Sequence, residues 1–170
     1  MISNDKTVVL CDNEYIFTSC KRENDKMLPS HRNIVGMLDE YFPDNIINFY
    51  HVGLKRDKTR LFEFLSKLKI DNIIFECVYA SKTQLIGTAM GIDTIKYLDS
   101  MAYVKNFVFI SGDDYLIPIV DELTERDVNI YIMCFPILMS KELNNVCNEN
   151  KNINLKFLSN KYFMFQKTVD

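Results

Sequence analysis

Three aspartates stand at places where a chain can assemble an acidic site. Asp12 directly follows the apolar run Val8–Cys11, and Asp113 follows the run Phe107–Ile110 within the sequence Ser-Gly-Asp-Asp. Asp93 follows the short sequence Met-Gly-Ile. Carboxylates that converge at one edge of a sheet repel each other unless a cation compensates, and Mg²⁺ and Mn²⁺ prefer such oxygen-only sites. The three aspartates therefore predict a site for one or two divalent cations.

Each of these aspartates also has a purely structural interpretation. An Asp that follows a strand is often a helix cap or a turn residue, and Asp93 stands where the N-cap of a helix would lie. Gly112 would permit a tight turn just before Asp113, and Asp114 could supply a fourth acidic group. Because three aspartates occupy comparable places after apolar runs, we expect a shared cluster rather than three separate caps.

The elements that position these residues alternate along the chain. Short continuous apolar runs, which are typical of parallel strands buried on both faces, lie at Val8–Cys11, Asn45–Val52, Ile73–Tyr79, Phe107–Ile110 and Val128–Cys134, with a last short strand at Leu155–Leu158. Stripes at helical spacing begin at Ile34, Leu61, Ile95 and Leu116, and a fifth follows an N-cap at Ser140. This alternation predicts one α/β domain over residues 1–170, a three-layer sandwich with a mainly parallel, Rossmann-like sheet of five or six strands.

The composition limits the function further. The chain has 170 residues, of which 48% are hydrophobic, which is globular rather than disordered composition. Its net charge of −3 gives no general attraction to nucleic acid, so any such contact needs a local basic patch. The five cysteines are an odd number without close pairing, and neither a signal peptide nor a membrane span is visible. These features predict a reduced, cytoplasmic protein. Along the chain, we expect Thr18–Met27 and Ser81–Met90 to be the most flexible segments.

Two motifs resemble those of a known family. Met90–Asp99 is similar to the Lys-Gly-Val-Asp-x5-Asp motif of the NYN-domain family, PIN-like proteins that include the LabA-like group. Phe109–Val120 resembles that family's Ser-Gly-Asp-Ser-Asp-Phe-x-Pro-Leu-Val hallmark. The first strand with Asp12 resembles the family's opening segment, and the likeness extends over about residues 6–165. The order and spacing of the two glycine-containing motifs make the resemblance fairly specific.

The resemblance implies a metal-dependent ribonuclease. In such an enzyme Asp12, Asp93 and Asp113, with Asp114 as a further ligand, would hold Mg²⁺ or Mn²⁺ ions that activate a water and stabilise charge on the scissile phosphate. Single-stranded RNA would be the partner, and a homodimer is compatible with the sequence. The residues expected to support the acidic cluster are Asp99, Asn13 and Ser111.

The chain departs from the family pattern at four places. Tyr15 stands where the family usually has Asn, and Met90 stands where it has the Lys that precedes the motif glycine. Tyr115 replaces the second Asp of Ser-Gly-Asp-x-Asp, and Leu116 replaces the Phe that follows. These departures leave open a second interpretation, in which a catalytically degenerate domain of the same fold serves as an RNA- or protein-interaction module.

A basic patch generates the first prediction. Lys55, Arg56 and Lys58 form the densest cluster of cations, and Lys82 and Lys96 could replace the missing motif lysine. Reversing the charges of Lys55, Arg56 and Lys58 together should weaken binding of single-stranded RNA, because phosphate contacts release counterions. The measurement is RNA affinity at several salt concentrations. An unchanged affinity would mean that the patch is only a solvated helix start.

Overall fold

A computed structural model describes residues 5–23, 27–52, 74–80, 84–159 and 164–166. Its main sheet has six strands: β1 (Lys6–Asp12), β3 (Asn45–Val52), β4 (Ile74–Ala80), β5 (Val104–Ile110), β6 (Asn129–Cys134) and β7 (Ile153–Phe157). Their order is β4-β3-β1-β5-β6-β7, and every neighbouring pair is parallel. Two short strands, β2 (Met27–Pro29) and β8 (Met164–Gln166), form a separate antiparallel pair.

Helices cover both faces of this sheet. The described helices are α1 (Asn13–Glu23), α2 (His31–Tyr41), α3 (Gln84–Ser100), α4 (Ile117–Thr124) and α5 (Lys141–Glu149). Helices α1 and α2 pack on one face, whereas α3, α4 and α5 pack on the other. The predicted three-layer α/β sandwich with a parallel sheet is therefore confirmed. No helix within the described ranges has both the length and the apolar character needed to cross a bilayer.

The central strand β1 shows why the layers form. Val8 and Leu10 belong to the core beneath α3 to α5, whereas Val9 and Cys11 belong to the core beneath α1 and α2. All four side chains are 0% exposed. Because side chains alternate between the faces of a strand, four consecutive buried residues require a sheet that is covered on both sides. The continuous apolar run Val8–Cys11 is the sequence pattern expected of such a strand.

Most predicted elements agree with the structure, including the fifth helix. Ser140 caps α5 by accepting a hydrogen bond from the N–H of Leu143 at 3.1 Å. The last strand ends at Phe157, one residue before the predicted end. The stripe that begins at Leu61 lies outside the described residues.

Helix α1 was not predicted, and it occupies part of the segment that was expected to be flexible. Its buried face contains Tyr15, Ile16, Ser19 and Cys20, which follow helical spacing although Ser19 is polar. The Ser19 hydroxyl donates a hydrogen bond to the carbonyl of Tyr15 at 2.8 Å, so the helix satisfies this polar group internally. Because charged residues follow Cys20, the sequence predicts a flexible segment there, but the helix continues to Glu23.

Helix α3 begins at Gln84, so the prediction that Asp93 is an N-cap is wrong. Asp93 lies in the middle of a 17-residue helix. Gly91 lies within this helix, and of its two glycines only Gly87 is required for close packing. A Cβ atom at Gly87 would lie 2.7 Å from the ring of Tyr115, whereas a Cβ atom at Gly91 would meet Ile119 at an ordinary 3.6 Å.

This difference between two glycines of one helix gives a matched prediction. Gly87→Ala should lower the free energy of unfolding by about 1–3 kcal/mol, because the new methyl group overpacks against Tyr115. Gly91→Ala should instead raise it by about 0.5–1 kcal/mol, because alanine favours the helix and the added methyl group fits. Urea unfolding of both variants measures the effect. Equal stabilisation by both would show that the Tyr115 ring does not pack against Gly87.

Candidate functional site

The acidic residues lie around the carboxyl edge of the sheet. Asp12 is the last residue of β1, and Ser111 and Asp113 follow the neighbouring strand β5. Tyr50, on the other neighbouring strand β3, is the register partner of Asp12. In parallel α/β sheets the crevice beyond this edge is the usual place for a ligand. The fold thus brings together residues from three adjacent strands.

The Asp12 carboxylate is completely buried and bonded through both oxygens. Its Oδ1 accepts the backbone N–H of Tyr15 at 3.0 Å, and its Oδ2 accepts the hydroxyl of Tyr115 at 2.7 Å. The bond to Tyr15, three residues further on, is that of an N-cap. The structural interpretation of Asp12 as a helix cap is therefore correct, and the same side chain also contacts the neighbouring motif.

Tyr115 occupies the space between the two motifs. It lies in a short 3-10 helix, Asp114–Leu116, and its ring packs against Gly87. Its hydroxyl also lies 3.0 Å from Ser111 Oγ and 3.8 Å from Met90 Sδ. Both Tyr115 and Met90 replace charged residues of the family pattern. The two departures are in contact, so a neutral pair stands where the motifs would place a carboxylate and an ammonium group.

A second tyrosine engages Asp93. The Tyr50 hydroxyl donates a hydrogen bond to Asp93 Oδ2 at 2.9 Å, and Lys96 Nζ lies 3.0 Å from Asp93 Oδ1. Tyr50 is 1% exposed, and its hydroxyl also accepts from the buried amide of Asn48 at 3.5 Å. Asn48 in turn bonds the hydroxyl of Tyr97. Asp93 is thus held by a cation and by a buried polar network.

Asp113 differs from the other two aspartates. It precedes the 3-10 helix without forming a side-chain capping bond, and its backbone N–H donates to Ser111 Oγ at 3.3 Å. Its side chain is partly exposed and borders a cavity of about 310 Å³. The other residues that line this cavity are Glu14, Tyr15, Thr18, Arg22, Ile137, Leu138, Met139 and Ser140.

Gly112 has a different role from the one predicted. Its φ is not positive, so the chain needs no left-handed turn here. A Cβ atom at Gly112 would lie 2.7 Å from the Tyr15 hydroxyl and 3.0 Å from the Leu138 carbonyl oxygen. The glycine therefore permits close approach of α1 and the segment after β6. Its carbonyl accepts the N–H of Ser140 at 2.8 Å, which fixes the same junction.

The remaining predicted residues divide into three groups. Asn13 is buried beside Asp12, but its Oδ1 lies 2.7 Å from His31 Nε2. Asp99 is exposed near the end of α3, where it interacts electrostatically with Arg126, and Asp114 is exposed beside Asp113. The predicted RNA-binding residues that lie outside the described residues are Lys55, Arg56, Lys58 and Lys82.

Burial dominates the electrostatics of the site. The pKa of Asp12 is raised to about 6, chiefly by desolvation and to a smaller extent by the nearby charge of Asp113, although the hydrogen bonds from Tyr115 and Tyr15 lower it. Burial, with a contribution from Asp114, also raises the pKa of Asp113. The pKa values of Tyr115 and Tyr50 are raised by burial, so both phenols remain protonated donors at neutral pH.

These contacts do not fit a divalent cation as they stand. Within the described ranges, no three or more His, Cys, Asp or Glu side chains are grouped so that they could hold a metal ion together. Both oxygens of Asp12 bond protein donors, and the oxygens of Asp93 bond Tyr50 and Lys96. Since Mg²⁺ needs oxygen lone pairs that point to one centre, these donors compete with an ion for the same oxygens.

The fold is that of a PIN-like domain, the class of a nuclease-type family. The family model of the NYN domain matches residues 6–154, so the chain belongs to the NYN-domain family. A crystal structure of a protein of unknown function from Vibrio parahaemolyticus is similar, with a TM-score of 0.71 and 16% sequence identity over 97% of this chain and 99% of that one. This likeness concerns the fold alone. No curated protein matches the sequence.

The sequence did not reveal the role of the tyrosines. Tyr115 was recognised as a departure from the motif, but its bond to Asp12 joins residues 103 positions apart. Tyr50 gave no signal, because an aromatic residue near the end of a strand most often belongs to the core. Tyr50 lies beside the acidic site because it is the register partner of Asp12 in the sheet.

The raised pKa of Asp12 predicts a pH-dependent effect of one substitution. In Asp12→Asn, the amide oxygen can still accept from Tyr15, and the amide N–H can donate to Tyr115, which then donates to Ser111. A carboxyl pKa raised from about 3.9 in the unfolded chain to about 6 costs stability progressively as the pH rises from about 4 to 6, and that cost persists at neutral pH. The variant should therefore be more stable than the wild type by up to about 3 kcal/mol at pH 7 and gain little at pH 4.

Chemical denaturation in metal-free buffer at both pH values measures this difference. Asp121→Asn, which removes an exposed charge from α4, is the control and should show no comparable change between pH 4 and pH 7. A loss of stability in Asp12→Asn that is equal at both pH values would contradict the electrostatic account of Asp12.

Proposed function

We propose that this chain is an RNA-binding NYN domain that does not use its acidic site for metal-dependent cleavage. The observation that carries the proposal is the 2.7 Å hydrogen bond from the partly buried Tyr115 hydroxyl to the buried Asp12 Oδ2. A phenol at this position provides the carboxylate with the positive end of an O–H dipole, which is the compensation that a cation would otherwise supply. The domain then has no metal-bound water with which to attack a phosphodiester.

The neighbouring contacts support the same proposal. Met90 and Tyr115 together remove one positive and one negative group from the family pattern, so the exchange is neutral in net charge. Tyr115 fits only because Gly87 leaves room for its ring. Asp93 is compensated separately by Tyr50 and Lys96. Each of these hydrogen bonds occupies one lone pair of its carboxylate oxygen and therefore competes with a shared cation for that oxygen.

RNA is the partner that the family suggests, since the NYN family is generally RNA-related. Among the described residues, Arg22 borders the cavity beside Asp113, and Lys96 accompanies Asp93. Both cations can contact a phosphate, although Lys96 is paired with Asp93 and Arg22 shares its cavity with Glu14 and Asp113. Cys11, Cys20, Cys134 and Cys147 are free and buried, in keeping with the proposal of a reducing, cytoplasmic setting. We also propose that the chain forms a single domain.

Metal-dependent ribonuclease activity is the second candidate. It is favoured by Asp113, which forms no capping bond, is partly exposed and interacts electrostatically with Asp12. An RNA strand that displaced Tyr115 could expose Asp12 beside Asp113. Mg²⁺ or Mn²⁺ would then be held by Asp12 and Asp113, with Asp93 and Asp114 as the further ligands.

Restoring the motif separates the two candidates. The wild type should bind single-stranded RNA equally with EDTA or Mn²⁺, leave it intact, and show no melting shift with metal. Met90→Lys combined with Tyr115→Asp should gain thermal stability in Mn²⁺, because an ion that binds only the folded state stabilises it. At a free ion concentration of 100 Kd the gain would be about 2.7 kcal/mol. The measurements are RNA electrophoresis and thermal melting with and without Mn²⁺.

Two further variants complete this experiment. Tyr115→Phe keeps the ring against Gly87 and removes only the hydroxyl, so it should gain no response to metal. Asp113→Asn tests the second candidate directly. If the wild type cleaves RNA in Mn²⁺ and Asp113→Asn abolishes cleavage, the chain is a metal-dependent ribonuclease and our proposal is wrong.

A further inference from the structure

A cavity among the described residues lies away from the acidic site, along the flank of α2. It has a volume of about 620 Å³ and lies between α2 and the end of the edge strand β7. We call it the aromatic groove and define it by its lining residues, Arg32, Asn33, Gly36, Met37, Glu40, Tyr41, Lys156, Phe157, Leu158 and Ser159. Nothing in the proposed chemistry of the acidic site uses these residues.

Two large rings are exposed along this groove. Phe157 is 53% exposed and Tyr41 is 52% exposed, although most aromatic side chains of the sheet are buried. Tyr41 is held by Lys156, whose Nζ lies 3.0 Å from the ring centroid, and by its neighbour Phe42. Phe42 in turn packs edge-on against Tyr131 at 5.0 Å. The Tyr41 ring is therefore supported by Lys156 and by two further aromatic side chains.

The charges of the groove favour an anionic ligand. Arg32 and Lys156 are both basic, whereas Glu40 is the single acidic residue in the lining, so the groove carries a net charge of about +1 in a chain of net charge −3. Asn33 adds an amide that can donate to or accept from a base edge. Aromatic faces beside cations are the combination by which proteins hold single-stranded nucleic acids.

Gly36 lines the groove and leaves space there because it has no side chain. It lies inside α2, and a Cβ atom built there would meet nothing within 4 Å. The two glycines of α3 contact other side chains, whereas this one borders empty space. A glycine inside a helix costs about 0.5–1 kcal/mol relative to alanine. Here no packing requires it, and its effect is to leave room beside the exposed rings.

We infer that the aromatic groove binds bases of single-stranded RNA, with Phe157 and Tyr41 as stacking surfaces and Arg32 and Lys156 as phosphate contacts. This inference rests on the proposed RNA-binding function and adds a second contact surface to it. Arg32 directly follows His31, which contacts Asn13 at the carboxyl edge. A strand bound beside Asp12 can thus continue along α2 into the groove.

Filling the groove provides the sharpest test. The probe is a fluorescently labelled 12-nucleotide oligouridylate, and its affinity for the full chain is measured by anisotropy in EDTA. Gly36→Leu adds bulk to the floor without removing any polar or charged group, and we expect it to weaken binding about tenfold while preserving or raising the melting temperature. Phe157→Ala removes one stacking surface and should weaken binding by a similar factor.

Two matched controls accompany these variants. Gly36→Ala gives the same helix stabilisation with little added volume, and it should bind RNA as the wild type does. Tyr103→Ala removes a ring that is 47% exposed and that also lies beside a lysine, Lys6, but outside the groove, so it too should leave affinity unchanged. Arg32→Gln should reduce the salt dependence of log affinity by about 0.7, the value for one phosphate contact on a single strand.

The possible results are distinct. If the wild type binds the oligouridylate and both Gly36→Leu and Phe157→Ala bind it equally well, the groove inference fails while the proposed function stands. If the wild type does not bind it, the proposed function itself fails, and the groove inference with it. Binding of a labelled Thr-Val octapeptide in place of RNA, abolished by Gly36→Leu, would identify strand addition at β7 and overturn the inference.

Discussion

One buried carboxylate connects the layers of this fold. Asp12 ends the central strand, accepts the first-turn N–H of α1 on one face, and accepts the hydroxyl of Tyr115 from the other face. A buried charge costs several kcal/mol unless hydrogen bonds satisfy it. The sequence around it supplies one donor through the backbone and another through a side chain. The acidic site thus depends on how this one group is neutralised.

Neutralisation by tyrosine has consequences for the neighbouring residues. The phenol is larger than the motif carboxylate that it replaces, and Gly87 provides the space for it. Met90 lies 3.8 Å from the same hydroxyl and leaves this position without the ammonium group of the family motif. At the other replaced position, the Tyr15 hydroxyl donates to the Phe135 carbonyl and accepts the Phe135 N–H, which ties α1 to the end of β6. Tyr115, Met90 and Tyr15, which all depart from the family motif, therefore each contact other residues around the acidic site.

The sequence predicted the sheet well because each strand carries its own signal. Val8 to Cys11 must be buried on both faces, and no distant contact is needed to infer this. The site was less predictable, because its donors come from far along the chain. Asp93 was predicted at a helix start because a glycine stands two residues before it. The helix in fact begins at Gln84 and continues through Gly91. The hydrogen bond to Asp93 comes from Tyr50, 43 positions away. Periodicity locates elements, but it does not tell which polar groups meet.

The position of Asp12 remains constrained even where metal chemistry is absent. Its Oδ1 caps α1, and an N-cap is worth about 0.5–2 kcal/mol. Its Oδ2 accepts the partly buried Tyr115 hydroxyl, and a hydrogen bond to a charged group contributes about 1.5–3 kcal/mol. An apolar residue would forfeit both contributions, whereas Asn would retain both and avoid the cost of a buried charge. An aspartate at the end of the first strand is therefore compatible with a purely structural role, and its presence alone does not establish a nuclease. The residues that decide between the two roles are its donors, and here those donors are a backbone N–H and a tyrosine.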